Sequence, residues 1–299
     1  MGEHPSVASF WMGSSLGVCE HLCLKSFWAN GHDVVLYTYG DVRGVPDGVC
    51  IEDAAQFVPL VTAERYANDS VLQSLADRFR YVMLREADHI WVDTDMLALR
   101  PMSFADNLFG RLKNHPDLIN NAVLRLPKSS PVLDYLIALT DNYHPMVPRD
   151  WPFGRKFFAG GNPTGEPIDL PSDQFSFGEL PFYFAGPHAL THALTKFGGG
   201  ASAQPADVFY PFDARLLARN TKAPFRHPLV VPEATEAVHH VGGRVLRKIA
   251  SDENGRLMIH RKSLIGEACR AFAVSPGDWQ ARFVSKHENE RSDDGTVSR

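Results

Sequence analysis

The run Val34-Val35-Leu36-Tyr37-Thr38-Tyr39 constrains this chain more than any other stretch. It is unbroken, apolar and rich in β-branched and aromatic residues, the pattern of a strand buried on both faces. A first strand over residues 7–12 precedes it. Between the two, Leu16, Cys19, Cys23 and Phe27 recur at helical spacing and predict a helix over 16–29. Ser14 or Ser15 suits its N-cap, and Asn30-Gly31 suits its C-terminal stop. Strand, helix and doubly buried strand form the opening of a parallel sheet, so the fold class is α/β. A short third strand is expected over 49–51.

The next helix is announced by Ser70 with Gln73, a capping box. Leu72, Leu75, Phe79, Val82 and Met83 form its apolar stripe. Asp77 and Arg80 lie one turn apart, off that stripe. Spacing alone leaves open whether they are functional or only a surface ion pair of a few tenths of a kcal/mol. A short apolar strand, Ile90-Trp91-Val92, follows and delivers Asp93 and Asp95. Two acids with one residue between them are weak evidence in isolation, because a turn uses Asp to bond its own backbone. Their place raises the odds. They follow a buried-type strand at its carboxyl end, where open α/β sheets bind ligands. Two carboxylates there suit a hard divalent cation. Asp88 and His89 precede the strand and, at about 3.3 Å per residue, belong to its far end, outside any such site.

The second half is less regular. A strand is expected within 118–126, alternating after Asn121. Ser130-Pro131 caps and starts a helix through Val132, Leu133, Leu136 and Leu139. Residues 141–182 are rich in Pro, Gly and aromatics around Gly160-Gly161-Asn162-Pro163, a connection long enough to be functional. Gly186-Pro187 opens another helix, ended by Gly198-Gly199-Gly200. Val208-Phe209-Tyr210-Pro211 and Ala237-Val238-His239-His240 are short apolar segments suited to closing a site. Residues 284–299 read as a disordered tail.

Composition removes several classes of function. The chain has 299 residues, 44% of them apolar, and a formal charge of −5, which argues against a nucleic-acid partner. The four cysteines, Cys19, Cys23, Cys50 and Cys269, lack zinc-ligand spacing and read as buried free thiols of a reducing compartment. No apolar run is long enough to span a bilayer, and the N-terminus lacks a signal-peptide pattern. A cytoplasmic protein is expected, without a transmembrane segment and compatible with peripheral membrane contact.

Asp77-x-x-Arg80-Tyr81, then Ile90-Trp91-Val92-Asp93-Thr94-Asp95 and Leu99-Arg100-Pro101, resemble the sugar-nucleotide motif of the DXD-containing retaining glycosyltransferases. That group includes bacterial capsule and lipopolysaccharide enzymes, α-1,4-galactosyltransferases and fungal mannosyltransferases, with the clostridial toxin glucosyltransferases more distant. Phe10-Trp11-Met12-Gly13, Leu36 to Tyr39, Asn120-Asn121, Gly186-Pro187 and Ala237-Val238-His239 extend the resemblance over roughly residues 7–245.

The resemblance implies a single A-type glycosyltransferase domain over 1–283, Rossmann-like with a mixed central sheet, and an acceptor-side insertion at about 141–182. It implies a nucleoside-diphosphate sugar donor, UDP-sugar first, a glycan or glycolipid acceptor, and Mn²⁺ or Mg²⁺. Asp95 would bind the metal directly, and Asp93 would meet the ribose or the metal through water. Asp77 and Arg80 would hold sugar hydroxyls and diphosphate, and Trp11 with the Asp93–Thr94 segment would border the nucleoside. His239 would be a third metal ligand or a diphosphate contact, with His240 in a place relatives give to an apolar residue. Relatives usually carry Gly-Gly before the strand, where this chain has Ala87-Asp88-His89, and a Trp after the late His, where it has Val241-Gly242-Gly243. Those departures leave a second reading open, a non-catalytic sugar-nucleotide or glycan-binding protein of the same fold. A metal-dependent phosphate or sugar esterase is a third. No catalytic nucleophile is identified; Asp173 and Glu179 in the long loop are the acids available.

Overall fold

The computed structural model describes residues 4–68, 71–103, 105–141, 143–145, 147, 151, 176–177, 180, 183–223, 229–240, 244–254 and 256–276. Ser70, the stretch around Gly160, Asp173, Glu179, residues 241–243 and the tail at 284–299 lie outside them.

The protein is an α/β sandwich built on a six-stranded sheet of Rossmann-like character. In order of first appearance the strands are β1 (Val7–Trp11), β2 (Val34–Thr38), β3 (Val49–Asp53), β4 (Ile90–Val92), β6 (Leu108–Leu112) and β7 (His115–Arg125), with β5 (Met96–Ala98) and β8 (Ala237–His239) forming a separate ribbon. The sheet runs β3-β2-β1-β4-β7-β6. β1 is parallel to β2 and β4, β2 is parallel to β3, and β7 is antiparallel to both β4 and β6. The sheet is therefore mixed, with β7 alone reversed. The chain winds one way from β1 to β3 and then returns to the other side of β1 with β4. The carboxyl ends of β1 and β4 consequently flank the switch point, where such sheets open a crevice.

Two helical layers cover the sheet. Alternation along each strand sends successive side chains to opposite faces. Phe10, Tyr37, Trp91 and Leu124 face α3 (Leu72–Glu86) and share a core with its Leu75, Phe79 and Met83. Phe79 stacks on Phe10 at 4.5 Å between ring centroids, which anchors the helix to β1. α2 (Leu60–Asn68), α4 (Pro131–Asp141) and α5 (Ala189–Phe197) complete that layer. On the other face Val7, Leu36, Ile90, Val92 and Val123 join Leu24 and Phe27 of α1 (Val18–Ala29). α6 (Ala206–Phe209), α7 (Ala214–Lys222), α8 (Arg244–Ala250) and α9 (Leu264–Ala271) follow later in the chain. Leu22 and Cys23 of α1 pack with Ala218, Leu246, Ile265 and Cys269 in a third cluster.

Several local expectations change. α1 starts at Val18 with Gly17 as N-cap and no side-chain cap. The preceding segment is held elsewhere: Leu16 donates its N–H to Arg43 O at 2.9 Å, and Arg43 returns one to Ser14 O. Neither Ser14 nor Ser15 can then cap. The first described residue before α3 is Val71, its N-cap. β3 runs on to Asp53, and Cys50 on this sheet edge is exposed, unlike the other three thiols. Gly186 and Pro187 sit in a kinked turn over Phe184–His188, and the regular helix begins only at Ala189. Val208 and Phe209 belong to α6, one helical turn.

Candidate metal and donor site

β4 ends at Val92, and the next four residues make a tight turn. Asp93 donates its N–H to Ala122 O at 2.8 Å, and Met96 donates back to Asp93 O at 3.0 Å. The turn places Asp93, Thr94 and Asp95 at the carboxyl end of β4 and feeds β5. β5 pairs antiparallel with β8 in the register Met96↔His239. This ribbon brings His239 to the acids from the far end of the chain. Its Nε2 lies 3.1 Å from Asp95 Oδ1. Asp93, Asp95 and His239 can present one ligand atom each with all three within 4.8 Å of one another, the one such group among the described residues. Two carboxylate oxygens and an imidazole nitrogen fit a divalent ion such as Mn²⁺. Burial alone would lower the His239 pKa. The Asp95 carboxylate, its hydrogen bond and the charge of Asp93 reverse that, and the net shift is upward.

Behind the acids lies a buried polar network. Arg80 is only 4% exposed and Asp77 5%, so the surface ion pair that spacing left open is not what they form. Arg80 Nη2 is 3.3 Å from Asp77 Oδ1 and 3.1 Å from Asp93 Oδ1. Its Nη1 donates to Asn121 O at 2.5 Å, its Nε donates to Ala76 O at 3.4 Å, and the guanidinium lies 4.7 Å over the Trp91 ring. The fork is thus turned into the protein and locked at both ends. Asp77 Oδ1 also accepts from Asn121 Nδ2 at 2.8 Å, and Asn121 reaches Tyr81, whose hydroxyl donates to Ala185 O at 2.7 Å. Burial raises the Asp77 pKa to about 6 against the pull of Arg80 and Asn121. Asp93 is raised too, by burial first, with Arg80 opposing and Asp95 adding. Trp91 Nε1 donates to Asp93 Oδ1 at 2.7 Å. Both the Trp91 and Arg80 contacts therefore use one oxygen of Asp93.

Gly186 closes this network from the other side. A Cβ there would come within 3.0 Å of both Asp77 carboxylate oxygens and 3.1 Å of Asn121 Nδ2. A side chain there would press on the Asp77 carboxylate, which would have to give way by a few tenths of an ångström. Trp11 stands at the carboxyl end of β1, partly exposed, with its indole N–H donating to Ser15 O. β1 and β4 are tied at this end by Ser9 Oγ, which donates to Val92 O at 2.5 Å. Asp88 and His89 are elsewhere: Asp88 pairs with Arg125 at 2.8 Å, and His89 contacts Ser6 and Tyr37.

The sequence reading assigned no role to Tyr210 or Asn121. The Tyr210 ring packs edge-on to His239 at 5.8 Å, and its hydroxyl accepts from Val123 N–H. Burial, with Asp93 and Asp95 adding, pushes its pKa up. The only hint was that Tyr210 falls in an apolar segment suited to closing a site. His240, adjacent to His239, points the other way and meets Cys23.

No protein-family model matches the chain, and no curated protein sequence matches it. Among solved structures it is similar to a PaToxG glycosyltransferase, at 13% identity and a TM-score of 0.41, over 64% of this chain and 69% of that one. No helix among the described residues is long and apolar enough to cross a membrane.

Proposed function

We propose that the protein is a metal-dependent retaining glycosyltransferase of the A type that moves a sugar from a nucleoside-diphosphate donor, UDP-sugar first, to a hydroxyl of a glycan or glycolipid. The observation that carries this reading is the meeting of Asp93, Asp95 and His239 at the carboxyl end of β4, beside β1, with Asp77 and Arg80 directly behind. A cation held by that triad supplies Lewis-acid stabilisation for a diphosphate leaving group. Asp95 and His239 are its main ligands, and Asp93 offers the oxygen not used by Arg80 and Trp91. Arg80 favours the ionised form of Asp93 against the effect of burial and orients it, and its buried positive charge favours the diphosphate side of the crevice. Asp77, backed by Asn121 and bordered by Gly186, is the acceptor for donor sugar hydroxyls. Trp11 borders the nucleoside at the end of β1, and Thr94 lines the turn between the two acids.

A thermal-shift series with UDP-, GDP- and CMP-sugars, with and without Mn²⁺, tests the donor class. At a hundredfold excess over Kd the preferred donor stabilises by about 2.7 kcal/mol. Asp95→Asn removes a ligand charge and is expected to abolish both metal-dependent donor binding and transfer while the fold persists. Wild-type transfer by that variant, or donor binding indifferent to EDTA, would refute the reading. Donor binding without transfer to any acceptor would instead identify a non-catalytic sugar-nucleotide-binding protein.

A further inference from the structure

The ribbon that carries the candidate ligands is small. β5 and β8 have three residues each and pair with one another as a two-stranded sheet, from distant parts of the chain. Two strands alone are marginal in water, whereas ligands must be held to within about 0.5 Å to define a metal site. Something outside the ribbon must fix it.

α1 does so through one face. Ser26 Oγ accepts the N–H of Ala98 in β5 at 2.9 Å and donates to Cys23 O at 2.6 Å. One turn earlier on the same face, Cys23 Sγ lies 3.1 Å from His240 Nε2, immediately after β8. His240 in turn donates its N–H to Asp95 O at 3.1 Å. Strand alternation turns His239 towards Asp95 and His240 towards the helix. Cys23, Ser26 and His240 are all buried. A single helical turn thus grips both strands: Ser26 holds the one leaving Asp95, and Cys23 holds the residue next to His239.

We propose that the Cys23–His240 hydrogen bond sets the relative position of His239 and Asp95 for a divalent cation, which makes Cys23 a positioning residue of the site. This rests on the metal reading of that site. An apolar residue would fill the space of the thiol equally well. It would also leave His240 Nε2 without a partner in a place where Nδ1 already has none among the described residues. The pair therefore does more than pack. Groups hydrogen-bonded directly to a ligand typically change metal affinity 10–100-fold when lost; Cys23 acts one residue further out, through His240, so the lower end of that range is expected.

The experiment compares wild type, Cys23→Ala, Cys23→Ser and Cys269→Ala. Free Mn²⁺ is followed by electron paramagnetic resonance, Co²⁺ by visible absorption, and each protein's thermal midpoint is recorded. Cys269 is the control, a buried thiol of the same cluster, carried by α9, that makes no hydrogen bond to β5 or β8 among the described residues. Cys23→Ala is expected to weaken Mn²⁺ binding at least about tenfold and to shift the Co²⁺ bands. Cys23→Ser, which retains a donor, should recover to within about fivefold, and Cys269→Ala should match wild type. Equal affinity losses in Cys23→Ala and Cys269→Ala would reduce the effect to core packing and overturn the inference. So would a Cys23→Ala protein with wild-type affinity and spectrum. Wild type that binds neither ion overturns the metal reading itself, a separate result. If Cys23→Ala does not fold, Cys23→Val, close to the thiol in volume but without a donor, takes its place under the same criteria.

Discussion

Asp77 should make the protein less stable at neutral pH than it would be with a neutral residue there. Burial raises its pKa from 3.8 to about 6, even with Arg80 and Asn121 favouring the charged form. Between about pH 4 and 6 the folded protein holds a proton that the unfolded chain has released. Stability from this group is therefore fully present below pH 4 and lost as pH rises through 6. A shift of about two units corresponds to about 3 kcal/mol. Asp77→Asn stays neutral throughout. Arg80 and Asn121 both use Oδ1, so an amide that keeps its oxygen there retains both contacts. The stability of Asp77→Asn minus that of wild type should grow with pH by up to about 3 kcal/mol between pH 4 and 7.5. Urea unfolding of both proteins in EDTA across that range gives the difference, with equal slopes m confirming comparable unfolded states. A difference that stays flat or falls with pH would refute the reasoning. Donor binding should fall in the same variant, since stability is given up for function at such sites.

Other outcomes follow from the same network. Arg80→Met leaves Asp77 and Asp93 facing each other without the cation between them and should lose about 3–5 kcal/mol in urea unfolding; a loss under 1 kcal/mol would mean that the buried bridge is not formed. Gly186→Ala drives a methyl against the Asp77 carboxylate and should lose about 1–3 kcal/mol together with donor affinity, read by calorimetry. Asp88→Asn removes the exposed partner of a half-buried pair with Arg125, and both stability and donor binding should stay within about 1 kcal/mol of wild type; a loss of donor binding would place Asp88 in the site after all. Mn²⁺ affinity should rise with pH through the raised His239 pKa, because the ion must displace the imidazolium proton; a flat profile from pH 6 to 8 would remove His239 from the ligand set.

Much of the first half was legible because its signals are local. Val34 to Tyr39 and Ile90 to Val92 are short apolar runs, and buried parallel strands look like that wherever they occur. Asp93 and Asp95 follow their strand directly, so their position at its carboxyl end needed no tertiary information. The same locality put Asp88 and His89 at the far end. The burial of Arg80 was not legible. A helix with one apolar stripe reads as having one dry face, yet α3 is also covered on its polar side, by β7 and the turn at Gly186. Charges enclosed in that way leave no periodic trace. The small elements that complete the site, β5 and α6, are also short, and too little pattern accumulates in three or four residues to name them.

The sequence by itself determined the α/β class, the order of the first strands and helices, and the delivery of two carboxylates to a sheet edge, because each depends on neighbours a few residues apart. Only the tertiary structure decided which groups surround those carboxylates. It turned Arg80 inward between Asp77 and Asp93, set Tyr210 beside His239, and used Cys23 and Ser26 to hold the ribbon that joins His239 to Asp95. These contacts link residues far apart in the chain through packing and register, and composition and periodicity carry no record of either.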